Sequence, residues 1–405
     1  MSSPIDDEIS RFYTDHPYPP PVLDLGAERA AWSDGLRRRL RHHLLWPTRP
    51  PGGEPAVLVA GCGTSQAARH AVRAPGSEVV GIDVSPAAID ASTELADRHG
   101  LDNLELHLLP IEEVPALGRT FDLIVCTGVL HHLDDPLRGL RALGEALAPG
   151  GALLLMVYGS AGRVGIAMLR EYCRRLEIRP TAQELADLVA TLGELPVGHP
   201  LSHLLRTARD FRDADALADA LLNPRERSYS VPELLGLVEA GGLRFARWWR
   251  QAPYLPHCGA LTETPHGRRI AGLAPEEQYA AVELFRGDLA RHTAILHRVD
   301  GAEPVGVDWA GERWRSFVPV RPPEVIVVEE RLPAGVAGAV INRRHTATDL
   351  VLFLTPAERA VFEAVDGRRT IGELAPEGPD LFRRLWWHDH VVVDASGAAG
   401  TTGAG

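Results

Sequence analysis

Cysteine is scarce: only Cys62, Cys126, Cys173 and Cys258 occur in the 405 residues, and no two form a Cys-x-x-Cys pair. That excludes a zinc site or disulfide framework legible from spacing and leaves all four as packing residues. His257 beside Cys258 has no companions at ligand spacing, so no metal is expected. No apolar run reaches the roughly 18–20 residues of a membrane-spanning helix. The first residues are acidic and lack the basic-then-apolar pattern of a secretion signal, so a cytoplasmic protein is expected. Basic charge is also short. With 42 Lys and Arg against 54 Asp and Glu the formal net charge is -12, which argues against a nucleic-acid partner. A Gly-x-x-x-x-Gly-Lys-Ser/Thr phosphate loop is missing. So is the third glycine of a dinucleotide fingerprint, where Gln66 stands.

What is present is a strand, a tight turn and a helix. Val57-Leu58-Val59-Ala60 runs into Gly61-Cys62-Gly63, and an alanine-rich helix begins at Gln66. Glycines there let backbone approach a ligand more closely than side chains allow. A second apolar strand ends in Asp83, about 20 residues on, where a carboxylate can accept both hydroxyls of an adenosine ribose. Missing phosphate features beside a ribose acceptor point to S-adenosylmethionine (SAM) rather than to a dinucleotide. Ala60, Gly61, Cys62, Gly63, Asp83 and Val84 are the expected cofactor contacts.

Residues 56–158 resemble the class I SAM-dependent methyltransferases. The resemblance rests on Val-Leu-Val-Ala-Gly-Cys-Gly-Thr-Ser, on Val-Gly-Ile-Asp-Val-Ser, and on Phe121-Asp-Leu-Ile-Val-Cys-Thr-Gly-Val-Leu-His-His-Leu133. Leu147-Ala-Pro-Gly-Gly-Ala-Leu-Leu-Leu155 follows, and all four come in the family's order and spacing. It implies an α/β fold with a mostly parallel, seven-stranded Rossmann-like sheet, SAM as cofactor, and a ligand at the carboxyl ends of the strands. Ile111 would then stack on the base, and Thr127, at the same edge, would be a further cofactor contact. Two positions depart from the family: Val59 stands where an acidic residue is usual, and Pro110 where an Asp is usual.

Around this core the chain divides, on the sequence alone, into an N-terminal cap (residues 1–50), a methyltransferase domain (51–300) and a small α+β domain (301–395), with a disordered tail (396–405). Residues 159–227 read as a helical insertion that shapes the acceptor pocket. In the cap, a short helix bearing Phe12 and Tyr13 precedes His16-Pro17-Tyr18-Pro19-Pro20-Pro21, and consecutive prolines enforce an extended strap. Similar leaders in bacterial methyltransferases close over the cofactor, which would place Tyr13 and Tyr18 against it. The helix carrying Arg37–Arg41 reads as a solvated face. The C-terminal domain, with a β-ribbon and three short helices, is similar over a short stretch to winged-helix peptide-recognition modules.

Methyl transfer from a sulfonium is an in-line displacement, so the protein mainly positions donor and acceptor. His131 and His132, after the fourth strand, and Tyr158, ending the fifth, are the candidate catalytic residues. His199, His203, Arg225, Arg227 and Tyr229 in or near the insertion are further acceptor-side candidates. The expected acceptor is a small molecule or a peptide, methylated on oxygen or nitrogen, and homodimerisation is left open. Two alternatives stay open: a catalytically silent SAM- or adenosine-binding protein, and an NAD-linked oxidoreductase.

Overall fold

The computed structural model describes residues 8–16, 19–202, 214–301 and 306–397. Tyr18, His203 and the tail from Ala398 onward lie outside the described residues. Among those described, no helix is long and apolar enough to cross a membrane.

The main sheet follows from short, nearly all-apolar segments separated by helices, a pattern that buries both faces. Its strands are β1 (Val57–Ala60), β2 (Val79–Asp83), β3 (Leu104–Leu108), β4 (Phe121–Thr127), β5 (Leu147–Tyr158), β6 (Leu243–Trp248) and β7 (Arg291–Arg298). They lie in the order β3-β2-β1-β4-β5-β7-β6. β1 runs parallel to β2 and β4, β2 to β3, and β4 to β5. This is the mostly parallel seven-stranded sheet the sequence led us to expect. Strand order reverses beside β1, and in such sheets ligands bind at that switch point. Glycine at position 81 is required by packing, since a Cβ there would come within 2.7 Å of Ala67 and Leu106. β5 begins at Leu147, earlier than the expected 152, because Leu147 already pairs with Phe121 of β4, and the ladder resumes after a register shift with Ala152 opposite Leu123.

Local signals set the helix ends. Ser85 Oγ accepts the Ala88 N–H at 3.3 Å and Asp135 Oδ1 accepts the Arg138 N–H at 3.0 Å, each with proline at the next position. Gly100 stops the helix Pro86–His99 at φ 60°, a left-handed conformation that glycine adopts without strain.

By internal contacts the chain forms two compact units. The first comprises residues 1–30, 54–244 and 287–293. In it the insertion is helical, with Val164–Arg175, Ala182–Gly193 and Ala214–Leu222 sharing an apolar cluster around Ile166, Leu188, Leu217 and Leu221.

The second comprises residues 31–53, 245–286 and 294–405. Strands β8 (Val318–Val320), β9 (Val325–Val328), β10 (Gly338–Asn342), β11 (Leu352–Leu354) and β12 (Val392–Asp394) form two small sheets. β9, β10 and β11 make an antiparallel ribbon, while β12 pairs antiparallel with β8, a strand that sequence reading missed. Phe317, Phe362, Phe382 and Leu385 are its buried centre. The helix Leu36–Leu45 packs Leu40 on Val320 and Val392. Its arginines are not simply solvated: Arg37 pairs with Glu324 and Arg39 with Asp394. Residues 245–286 are tied in through two carboxylates, with Asp389 accepting Arg247 and the Ala252 N–H, and Asp349 accepting Arg286 and the Ala260 N–H.

Within this second unit His390 is wholly buried, has no hydrogen-bond partner on either ring nitrogen among the described residues, and its ring centroid lies 5.5 Å from that of His388. Burial, reinforced by the neighbouring histidines, pushes its pKa well below the ordinary 6.5, and His388 shifts the same way for the same reason. The folded state therefore binds fewer protons than the unfolded chain below about pH 6.5, so stability is full above that pH and drains as the pH falls. The thermal midpoint is expected to drop between pH 7 and pH 5. His390→Phe should flatten that drop; an unchanged slope would show that the acid sensitivity arises elsewhere.

Candidate active site

A cavity of about 470 Å³ opens at the carboxyl end of the sheet in the first unit. Its floor is built by the bend after β1. Gly61 and Cys62 both donate their N–H groups to Ile82 O at 2.9 Å, which draws the turn down onto the end of β2. Gly61 and Gly63 sit at φ 69° and 54°. From β2, Asp83 closes the bend: Oδ2 accepts the Gly63 N–H at 2.8 Å and Oδ1 the Ser85 N–H at 2.9 Å. Each carboxylate oxygen keeps acceptor capacity for a ligand. Burial raises the Asp83 pKa, opposed by those N–H groups.

Apolar side chains line the space next to Asp83: Val84, Leu109, Ile111 and Leu133. Ile111 opens a short 3-10 helix after Pro110, and this irregular turn carries it to the wall. On the other side of the bend, Gln66 Nε2 donates to Thr127 Oγ1 at 2.7 Å. Its Oε1 is left buried without a partner among the described residues.

Residues from outside the sheet cover this region. Ser10 Oγ donates to Val84 O, and Thr64 Oγ1 donates to Pro19 O, both at 2.8 Å. The helix Glu8–Asp15 thereby brings Ile9 and Tyr13 to the cavity, with Phe12 packed beneath on Leu185 and Ala218. Tyr13 O–H donates to Asp219 Oδ1 at 2.7 Å, and Asn223 Nδ2 donates to the same phenol oxygen at 3.1 Å. Burial and Asp219 push the Tyr13 pKa well above its ordinary 10.0, so the phenol stays protonated.

At the end away from Asp83, Tyr158 O–H lies 3.5 Å from Asp219 Oδ2. The Arg163 guanidinium lies 3.6 Å from the Tyr158 ring centroid and is held by both oxygens of Glu226 at 2.8 and 2.9 Å. His132 lines the cavity and is 2 % exposed, with Nδ1 2.6 Å from Arg225 O. Burial lowers its pKa, so the imidazole is neutral at physiological pH.

Of the expected site residues, Gly61, Cys62, Gly63, Asp83, Val84, Ile111, Thr127, Tyr13, His132 and Tyr158 all line this one cavity. Ala60 does not: it is buried inside β1. Nor does His131, which lies beneath, its ring tilted against Tyr158 with centroids 3.9 Å apart and burial driving its pKa well down. Tyr18 lies outside the described residues. Tyr229 serves through its backbone, its carbonyl meeting His292 Nε2 at 3.0 Å. His257 and Cys258 belong to the second unit. Sequence reading missed Asp219, Asn223 and Arg163. Asp219 sits in Ala-Asp-Ala-Leu-Ala-Asp-Ala-Leu-Leu, and its burial in the fold is what distinguishes it from Asp215.

The volume falls within the range of about 300–1,000 Å³ usual for ligand pockets. A carboxylate with spare acceptor capacity at one end, an apolar slot beside it, and an orphaned buried oxygen on Gln66 fit SAM. Fold and site together define a class I SAM-dependent methyltransferase, with SAM as its cofactor. Residues 58–153 match the family model described as a methyltransferase domain. An uncharacterized protein of Synechococcus sp. is 28% identical over 310 residues, spanning 74% of this chain and 73% of that one. The tRNA U34 carboxymethyltransferase of Methylococcus capsulatus is 39% identical over 141 residues, 33% of this chain and 41% of that enzyme. The chain thus matches less than half the length of that relative. In fold, the chain is similar to PKMT2 from Rickettsia typhi in complex with AdoHcy, with TM-score 0.62 and 15% identity over 93% of this chain and 77% of that one.

Proposed function

We propose that this cavity transfers the methyl group of SAM to a small metabolite or to the side chain of a peptide. Asp83 holds the ribose hydroxyls, Val84 and Ile111 sandwich the base, and the Gly61–Gly63 backbone with Thr127 and Gln66 receives the methionine end. The reading is carried by one observation: Asp83 and the group His132, Tyr158 and Asp219 line a single cavity covered by the leader helix. An enclosed space of this size suits a slender acceptor. The net charge of -12 favours the same reading.

A second reading is favoured by the relatives named as tRNA enzymes, in which the acceptor would be a nucleic acid. Purified protein is to be incubated with SAM and either total tRNA or a bacterial metabolite and peptide extract, and S-adenosylhomocysteine formation measured. Turnover with the extract alone supports the first reading; turnover with tRNA alone replaces it. Calorimetry with SAM and NAD separates the oxidoreductase alternative. SAM binding without turnover on any acceptor would leave the silent-binder alternative standing.

The leader helix is proposed as part of the lid. Losing part of an aromatic side chain's burial forfeits on the order of 1.4 kcal/mol, or tenfold. Tyr13→Ala is therefore expected to weaken SAM binding about tenfold. Unchanged affinity would make the helix a surface strap.

A further inference from the structure

We propose that Glu226 is a positioning residue for methyl transfer. Through Arg163 it holds Tyr158 edge-on to the cavity, so that the phenol hydroxyl rather than a ring face meets the acceptor. This rests on the transferase reading above and holds whichever acceptor is used.

Both faces of the Tyr158 ring are covered. The His131 ring centroid lies 3.9 Å from that of Tyr158 with 33° between the planes, and the Arg163 guanidinium carbon lies over the ring at 3.6 Å. A neighbour in the ring plane is kept farther from the centroid by the ring's own atoms, because carbon atoms touch at about 3.5–4.0 Å. Both groups therefore lie over faces, and two groups this close cannot share one. With His131 on one face and Arg163 on the other, Tyr158 has no face left for a cationic sulfonium or ammonium. It lines the cavity by its rim, where the hydroxyl lies 3.5 Å from Asp219 Oδ2.

Glu226 sets Arg163 in place. Arg163 Nη2 donates to both Glu226 oxygens, at 2.8 and 2.9 Å, while Nε is buried with no partner among the described residues. Glu226, its side chain 4 % exposed, is not among the residues lining the cavity, and it meets Tyr158 through that guanidinium. Arg170, 3.9 Å from Glu226, is anchored separately on Ala220 O and Asn223 O. The segment that carries Glu226 also fixes the backbone beneath the ring and its other cover. Tyr229 N–H donates to Tyr158 O at 2.9 Å, and Arg227 N–H to His131 O at 3.0 Å. Replacing a buried ion pair by apolar side chains of similar volume is often neutral for stability. What this pair supplies is a flat cation fixed on an aromatic face, which an alkyl chain does not reproduce.

The test measures S-adenosylhomocysteine formation from SAM over dilution series of the bacterial metabolite and peptide extract and of total tRNA. Glu226→Gln alone would leave Arg163 a buried unpaired cation and endanger the fold, so the pair is removed together in Arg163→Met/Glu226→Gln. That variant is expected to melt like wild type and to hold SAM, by calorimetry, within about threefold. Its maximum rate should fall about 10- to 100-fold, since a misplacement of about 1 Å costs about 100-fold. The half-saturating acceptor concentration should move less than about threefold. Glu226→Asp keeps the charge and withdraws the carboxylate, and should show a smaller loss of the same kind. Tyr158→Phe should lose as much as the double variant, and adding it to that variant should cost nothing further, because the pair acts through that hydroxyl. A double variant that turns over like wild type makes the pair structural and overturns the proposal. Losses that multiply when Tyr158→Phe is added, or an unchanged rate in folded Tyr158→Phe, overturn it too. No turnover by the wild-type protein on either source, despite SAM binding, overturns the transferase reading and this proposal with it.

Discussion

Replacing Asp83 by alanine is expected to raise the dissociation constant for SAM at least about 100-fold while the protein stays folded. Two losses combine. The ligand loses the acceptor for its ribose hydroxyls, and charge-assisted hydrogen bonds contribute about 1.5–3 kcal/mol. The bend itself loses its clamp, because the Gly63 and Ser85 N–H groups both end on this carboxylate. A stranded donor costs about 1–3 kcal/mol. Global stability should move much less, since the carboxylate is itself held at a cost. Burial raises its pKa, so the charged form is disfavoured in the fold, and alanine relieves that cost while stranding the two donors. Calorimetry against thermal melting separates the two effects. Asp83→Asn keeps one acceptor oxygen and should fall between. Wild-type affinity in Asp83→Ala would remove the site from this edge of the sheet.

The second large effect is expected at Gly61. A Cβ there would sit 2.3 Å from Val129 Cγ2 and 2.9 Å from Cγ1, at a φ of 69°. Left-handed backbone costs a non-glycine residue about 1–2 kcal/mol, and overpacking typically about 1–3 kcal/mol more. Gly61→Ala should therefore lower the thermal midpoint by several degrees and abolish detectable SAM binding, because Gly61 and Val129 both line the cavity. The double variant Gly61→Ala/Val129→Ala removes the clash and leaves the backbone strain. It should recover part of the stability, and full recovery would show that the φ value is immaterial.

These predictions concern residues legible in one dimension. Gly61, Gly63 and Asp83 could be named because a bend between a strand and a helix needs glycine, and because a parallel strand ends where its ligand begins. The helix stops at Gly100 and the caps at Ser85 and Asp135 were legible for the same reason, as each depends on a few neighbours in sequence. The acceptor end was different. His131 and His132 are adjacent and chemically alike, yet one lies beneath Tyr158 and the other faces the cavity. A three-residue 3-10 turn decides which is which.

Sequence alone determined the parallel sheet, the glycine bend that floors the cavity and the class of chemistry, since these rest on short-range periodicity and on turns that only particular residues can make. Tertiary structure decided that Asp219 meets Tyr13, 206 positions away, that Gln66 bonds Thr127, and that β12 joins β8 rather than the ribbon. Burial gives those polar groups their meaning. Burial is a property of what packs against a residue, which no stretch of neighbouring sequence records.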